Sequence, residues 1–407
     1  MELTILRDIV GGAAALGTLP GSLELAALTA AGMLGSARVR RNSAAAIQAT
    51  RLAVIIPAHN ERESLGACLD SLLAANREAC ATIVVVADNC EDETAEIARG
   101  RGVEVLERTS LDLRGKGFAL DHAFRELAPR RFDAYVIVDA DSRVPENFLT
   151  AFRAEFAEGA AAAQCAYLVA NSAANTRTRL LDLALRAFNQ LRPLGRARLG
   201  LSAGILGNGF GLRRETLERV PYTAHSVVED LEYHLALVAN GYRVEFLEST
   251  VIYGAMPAGG KGRETQRARW EGGRLRMLRD HGARLAKRVL SGKATAVEPL
   301  LDLLLLPLGF HAVLLAVALA SANPLLSALG AAGMGILLLH IAAAIANGAS
   351  VKQDLRALAV APAYVLWKVA KLPAIVAASA RRAEWVRTER AVEPARTQCA
   401  AALENRQ

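Results

Sequence analysis

From Arg51 to about Glu248, short apolar runs alternate with stretches of helical periodicity. Leu52–Ile56, Ile83–Ala87, Val103–Leu106 and Tyr135–Val138 are brief and rich in Val and Ile, as strands buried on both faces should be. Between them Glu63–Leu73, Thr94–Arg99 and Phe118–Leu127 carry apolar residues at helical spacing. Strand-helix-strand alternation predicts an α/β domain with an open, mainly parallel sheet covered on both faces. Ligands of such sheets bind outside the C-terminal strand ends, so the residues that follow each strand are the ones to weigh.

The flanks read differently. Ile5–Leu34 is rich in Ala, Leu and Gly and ends at the basic residues Arg38, Arg40 and Arg41. A secretory leader puts its positive charges first, so an uncleaved membrane helix, or a hairpin bent at Pro20-Gly21, fits better. Leu300–Ala320 and Leu325–Ala346 are each long enough to cross roughly 30 Å of hydrocarbon, and four residues, Ser321 to Pro324, join them. Leu358–Ala380 contains Pro362, Lys368, Lys371 and Pro373 and suits a helix lying in the interface. Basic residues are dense at Lys261–Lys293 and Arg381–Arg396 and absent from the 321–324 link. The dense regions are therefore expected on the cytoplasmic side of the cell membrane, with the link outside. The expected domains are a membrane segment and basic linker over 1–45, a catalytic domain over 46–290, two transmembrane helices over 291–350, and an interfacial helix and tail over 351–407.

Composition fits that division. Hydrophobic residues make up 52% of the 407, and mean hydropathy is +0.22, high for a soluble protein and low for a chain that is mostly membrane. The net charge of +7 suits anionic headgroups or phosphorylated substrates. No Lys/Arg block is dense enough to indicate nucleic acid. The five cysteines are scattered with no CxxC pair, which argues against a zinc site or redox dithiol and leaves reduced thiols in a cytoplasmic compartment.

Candidate chemistry gathers after the strands. Val136-Ile137-Val138-Asp139-Ala140-Asp141 ends a buried strand in Asp-x-Asp. Carboxylate oxygens are hard ligands that hold Mg²⁺ or Mn²⁺ while phosphates fill the remaining positions; the bland reading is a cap on the next helix. Asp88, after the second strand, sits on the same rim, where it serves either a ribose or base or an Asp-Asn turn. The first strand runs into Pro57-Ala58-His59-Asn60-Glu61, a polar break in which His59 reads as a loop residue. Arg114-Gly115-Lys116-Gly117 opens a helix, either as a phosphate contact or as a plain glycine turn, and it lacks P-loop spacing. Glu229-Asp230 precedes Leu231–Val238, either as a helix cap or as a carboxylate placed to take a proton from a hydroxyl. Gln266-Arg267-Ala268-Arg269-Trp270, flanked by Arg263, Arg274 and Arg276, offers an arginine for a departing diphosphate and a ring for a sugar, or an amphipathic helix on headgroups. A dinucleotide-dependent oxidoreductase needs GxGxxG after the first strand, where this chain has Pro57-Ala58-His59-Asn60.

Taken in order, PAHNE at Pro57–Glu61, VVADN at Val85–Asn89, DAD at Asp139–Asp141, ED at Glu229–Asp230 and QRARW at Gln266–Trp270 resemble the processive branch of glycosyltransferase family 2, which includes cellulose, chitin and hyaluronan synthases. Gly207–Leu212 (GNGFGL) falls where that family places a loop lining the acceptor site. The resemblance covers about Leu52 to Arg276. It implies a GT-A fold and an inverting transfer from a nucleotide sugar, usually a uridine nucleotide, onto a growing polysaccharide or, alternatively, a single transfer onto a lipid-linked acceptor. It further implies Asp230 as general base; Pro57, Glu61, Asp88, Lys116 and Asp139 on the donor; Asp139 and Asp141 on Mg²⁺ or Mn²⁺; and Gln266, Arg269 and Trp270 on the diphosphate and acceptor. Two spanning helices are few for a secretion channel, so export implies an oligomer or a partner.

Overall fold

In the computed structural model the described residues are 2–34, 44–256 and 261–379, and the side chains of 261–269 lie outside the description. The basic residues Arg38 to Arg41 and the segment Arg381–Arg396 therefore lie outside the described residues. The chain divides into a helical unit (Met1–Ser36, Arg186–Leu201 and Arg267–Ala383) and a sheet unit (Ala37–Leu185, Ser202–Gln266 and Glu384–Gln407).

The sheet unit forms where the apolar runs are. Its strands are β1 (Leu52–Ala58), β2 (Thr82–Asp88), β3 (Glu104–Arg108), β4 (Ala134–Ile137), β5 (Ser142–Arg143), β6 (Ala162–Val169), β7 (Phe210–Arg213) and β8 (Val244–Gly254), in the order β3-β2-β1-β4-β7-β6-β8-β5. The half around β1 is parallel, as expected: β3, β2, β1 and β4 all run one way. The other half is not. Strand β7 runs antiparallel to both β4 and β6, and β5 runs antiparallel to β8. The sheet is therefore mixed rather than mainly parallel, because the chain enters the gap beside β4 from the opposite end.

Alternate residues of β1 feed two cores. Leu52, Val54 and Ile56 pack with Leu65, Leu69 and Leu72 of the helix Leu65–Ala75 and with Phe148 and Phe152 of Phe148–Ala157. Ala53 and Ile55 face the other way, to Leu120 and Phe124 of Lys116–Leu127 and to Tyr233 and Leu237 of Glu229–Ala239. Each fully buried Val, Leu or Ile side chain contributes roughly 1.5–3 kcal/mol by leaving water. A one-residue slip of β1 against β2 exchanges the two faces, so burial on both sides also fixes the register.

The helical unit begins with one continuous helix, Glu2–Leu34, with Pro20 inside it, and not a hairpin. Two helices are long and apolar enough to cross a membrane by length and composition, Thr4–Leu34 and Pro324–Ala346. The straight helix expected over Leu300–Ala320 is not formed. Val297–Leu304 and Leu308–Leu319 form a pair bent by 82°. Pro307 supplies no amide donor and pushes its predecessor out of the helical region, which ends the first helix. Leu308–Leu319 spans about 18 Å, short of roughly 30 Å by itself. A separate helix, Val351–Leu358, precedes the third apolar stretch, which is broken into Ala361–Ala370 and Leu372–Ala378 with Pro362 and Pro373 in their first turns.

Charge explains the bend further. Glu298 and Asp302, one turn apart, turn inward to arginines of the segment Arg186–Leu201. Arg192 pairs with Glu24 at 2.8 Å and Asp302 at 2.6 Å. Arg196 pairs with Glu298 at 2.7 Å, with Glu24 at 3.1 Å and with Asp302. Arg274 reaches the other oxygen of Asp302 at 3.0 Å, and Arg186 pairs with Asp354 at 2.8 Å. Oxygens of Glu24, Glu298 and Asp302 lie within 4.8 Å of one another, a spacing open to a cation, but guanidinium groups already meet their charge. At the start of the first helix, Asp8 accepts hydrogen bonds from Ser321 Oγ (2.7 Å), Ala322 N (2.8 Å) and Asn323 N (3.0 Å) of the link.

Candidate active site

Strands β1 and β2 end alike. Each passes into an asparagine with left-handed backbone, Asn60 at φ 54° and Asn89 at φ 52°, a conformation that Asn tolerates better than most residues. The two turns lock together. His59 Nδ1 donates to the Asp88 carbonyl at 2.8 Å, Asn60 Oδ1 accepts from Glu91 N at 2.8 Å, and Glu61 N donates to Thr94 Oγ1 at 2.8 Å. Pro57, the penultimate residue of β1, is half-buried at the same rim. His59 is thus a loop residue, and Asp88 is 8% exposed at the strand end.

Asp88 is not open on all sides. Its Oδ1 accepts from Arg108 Nη1 at 2.5 Å and from Asn89 Nδ2 at 3.0 Å. Arg108 also donates to the Leu113 carbonyl at 2.6 Å, so one guanidinium ties Asp88 to the loop before Lys116. Sequence reasoning did not single out Arg108. The only signal was a basic residue ending the strand that pairs in register with Asp88.

A second cluster forms where β4, the helix Lys116–Leu127 and the helix Glu229–Ala239 begin or end together. Lys116 Nζ contacts Asp139 Oδ1 at 2.5 Å and also donates to the Gly207 carbonyl. Gly115 precedes it at φ 121°, a conformation that disfavours any side chain. Gly117 is required for a different reason, since a Cβ there would collide with the Ala224 carbonyl. The adjacent Phe118 ring stacks on His225 at 4.0 Å, with planes 7° apart. Gly-Lys-Gly is therefore a lysine held between two steric requirements, and its second glycine seats the loop that leads to Glu229 and Asp230.

Asp230 Oδ1 accepts from Leu231 N at 2.8 Å within the first turn. Its Oδ2 faces Gly207, where a Cβ would lie 3.0 Å away, and Gly207 has φ 79°. Burial raises the Asp230 pKa. Burial, reinforced by the charge of Asp230, pushes Glu229 up to about 8. Burial disfavours the Lys116 ammonium, but the carboxylates of Asp139 and Glu229 outweigh it and raise its pKa. Among the described residues, the carboxyl groups of Asp139, Glu229 and Asp230 act on the single ammonium of Lys116.

Behind the Asp-x-Asp turn Cys68 Sγ lies 3.5 Å from the Asp139 carbonyl, and burial, with the charge of Asp141 beside it, holds its thiol protonated. Asp141 is half-buried on that turn. The structure thus brings Lys116, Asp139 and Asp230 together, and His59, Glu61 and Asp88 together on the neighbouring turns. Trp270 belongs to the helical unit and is 38% exposed. The side chains of Gln266 and Arg269 lie outside the described residues.

Comparison with known proteins agrees with this geometry. The chain is 27% identical over 237 residues to a probable glycosyltransferase, YdaM, of Bacillus subtilis (strain 168), covering 55% of each chain. It is 30% identical over 213 residues to the uncharacterized glycosyltransferase YaiP of Escherichia coli (strain K12), covering 49% of this chain and 50% of that one. The chain thus matches about half the length of these curated relatives. The fold resembles that of the mannosyltransferase PcManGT from Pyrobaculum calidifontis, crystallised with GDP-Man and Mn²⁺, with a TM-score of 0.55, 20% identity, and coverage of 84% of this chain and 98% of that one. The family model for glycosyltransferase-like family 2 matches residues 49–273, from before β1 to beyond Trp270. The chain, with its mixed GT-A-like sheet, belongs to the glycosyltransferase-like family 2.

Proposed function

We propose that the chain moves a sugar from a nucleoside-diphosphate sugar to an acceptor hydroxyl in one in-line displacement with inversion, at a membrane surface and with a divalent cation. The observation that carries this reading is the cluster of Asp139, Lys116, Gly207, Glu229 and Asp230 at the end of β4. Asp230 is the general base: its Oδ2 faces the site while its helix holds Oδ1. Lys116 neutralises charge on the departing diphosphate. Asp88, set by Arg108, and Glu61 on the turn after β1 line the nucleoside side. Gln266, Arg269 and Trp270 act on the diphosphate and acceptor.

The donor set fits Mg²⁺ or Mn²⁺. Asp139 and Asp141 offer hard oxygen ligands at an open strand end, and the thiol beside them, Cys68, stays protonated and takes no part. Asp139 and Asp141 would hold the cation, which would supply positive charge to the donor phosphates, while Lys116 pairs with Asp139.

The acceptor is a cell-envelope glycan, with the catalytic site on the cytoplasmic face. One observation favours a single transfer to a lipid-linked acceptor over polymer extrusion. The interior of the helical unit is filled by Leu25, Leu305, Leu315 and Leu337 and by paired ions, so these helices enclose no lumen among the described residues. The test is to incubate purified protein in detergent with uridine, guanosine and thymidine diphosphate sugars and with Mn²⁺, Mg²⁺ or chelator, and then to size the product. Metal-dependent release of nucleoside diphosphate with a one-sugar product supports the lipid-linked reading, and a long product supports the polymerase. Turnover unaffected by chelator would remove the cation from the mechanism.

A further inference from the structure

Two fully buried amides lie behind the carboxylates, and no step above uses them. Asn208 is 0% exposed and spans the Asp139–Ser142 turn from end to end. Its Oδ1 accepts from Asp139 N at 3.0 Å, and its Nδ2 donates to Ser142 Oγ at 2.8 Å. The orientation of this amide is fixed, because a backbone N–H only donates. The turn is also closed from within, Ser142 N donating to the Asp139 carbonyl at 3.0 Å.

Gln164, also 0% exposed, does the same for the facing loop. Its Oε1 accepts from Leu206 N at 2.9 Å. Its Nε2 is directed to the carbonyls of Cys165 and Asn208, each at 2.8 Å, and Gly209 at 3.0 Å. Between those anchors lies Gly207, whose carbonyl takes Lys116 and whose bare Cα leaves room for Asp230 Oδ2.

We infer that Asn208 and Gln164 are positioning residues that hold the Asp139–Ser142 turn and the Gly207 loop as one piece, so that the donor-side carboxylates and the base keep a fixed separation. The inference rests on the reading of Asp139 and Asp141 as the cation and donor site. Neutral amides suit this role. They satisfy donors and acceptors alike, and they add no charge beside Asp139, Asp141, Glu229 and Asp230.

The test is Mn²⁺ binding to the full-length protein without donor, followed by electron paramagnetic resonance, together with kcat and KM for the donor. Groups that orient metal ligands typically matter by about 10–100-fold in affinity or activity. Asn208→Leu is therefore expected to weaken Mn²⁺ binding by at least about 10-fold and to lower kcat more than it raises KM. Ser142→Ala removes only the Nδ2 bond and is expected to weaken Mn²⁺ binding measurably in a protein that still folds; it decides the matter should the leucine variant not fold. Mn²⁺ affinity within twofold of the parent in a folded Asn208→Leu, or in Ser142→Ala, overturns the inference. Asp141→Asn separates the layers. If it abolishes Mn²⁺ binding while the Asn208 and Ser142 variants do not weaken it, only the positioning role fails. If it leaves binding intact, the cation reading beneath fails too.

Discussion

The sheet unit and the helical unit both take charged groups out of water, and they balance them in opposite ways. In the helical unit every described buried carboxylate of the network faces a guanidinium: Glu24, Glu298 and Asp302 answer Arg192, Arg196 and Arg274, and Asp354 answers Arg186. At the rim of the sheet, among the described residues, Asp139, Glu229 and Asp230 gather around Lys116. The balanced set is a brace, which costs desolvation and returns a defined packing. The second set is the one proposed above as the catalytic site, and among the described residues its carboxyl groups outnumber its cations. Charge balance among buried groups therefore separates scaffold from chemistry here better than burial does.

That contrast is open to direct attack. The largest expected effect is at the base: Asp230→Asn should lower turnover by about 10²–10⁴-fold with the fold retained, as measured by nucleotide release beside a melting curve. A near-normal rate would sink the assignment. In the helical unit, Asp302→Ala leaves Arg192, Arg196 and Arg274 facing a missing partner, and breaking such a buried network costs about 3–5 kcal/mol. Activity should then fall only in proportion to folded protein. A specific-activity loss per folded molecule would mean that the brace also acts in catalysis.

A smaller effect is expected at Gly207. Alanine must adopt φ near 79° and press on Asp230 Oδ2, a strain of about 1–2 kcal/mol that moves the base as well as the loop. The expected signature is a fall in kcat exceeding the loss of stability.

The smallest and sharpest effect is in pH. Burial raises Asp230, so the acid limb of kcat should lie above the ordinary carboxylate range, and Glu229→Gln should move it down by removing a neighbouring charge. The sign for stability is the reverse of the usual carboxylate case. Glu229 is raised from 4.5 to about 8, so its stabilising contribution is complete below its unfolded value and is lost as pH rises towards 8. The melting temperature of the cation-free protein should fall between about pH 5 and 8, and fall less in Glu229→Gln. An equal decline in both would remove Glu229 as the cause.

Much of the sheet unit was legible because its signals are local. Leu52–Ile56 and Ile83–Ala87 are strands of the kind that only two-sided burial permits, and Asp88 and Asp139 follow strands in the chain as they do in space. What was not legible lies between segments far apart in sequence. Nothing near Asp88 announces Arg108 on the neighbouring strand, and nothing near Asp139 announces Asn208, 69 positions away. The reversal at β7 escaped notice because that strand is four residues long and enters through an irregular loop. In the helical unit apolar composition hid the geometry: Leu300–Ala320 reads as a span until Asp302 is seen to face the arginines of a segment more than a hundred residues earlier.

The brace also sets a schedule for biosynthesis. Glu24 leaves the ribosome 168 residues ahead of Arg192, and Asp8 leaves 313 ahead of Ser321. At roughly 5–20 residues per second, Glu24 waits on the order of ten to thirty seconds for its first guanidinium, and Asp8 waits longer for its turn. Through that interval the first helix is a nascent segment with a carboxylate and no counter-ion, its tertiary structure dependent on sequence still to be translated. Maturation of the helical unit is therefore a late, single event, and a stop codon before residue 298 should leave the first helix to quality control however well the sheet has folded.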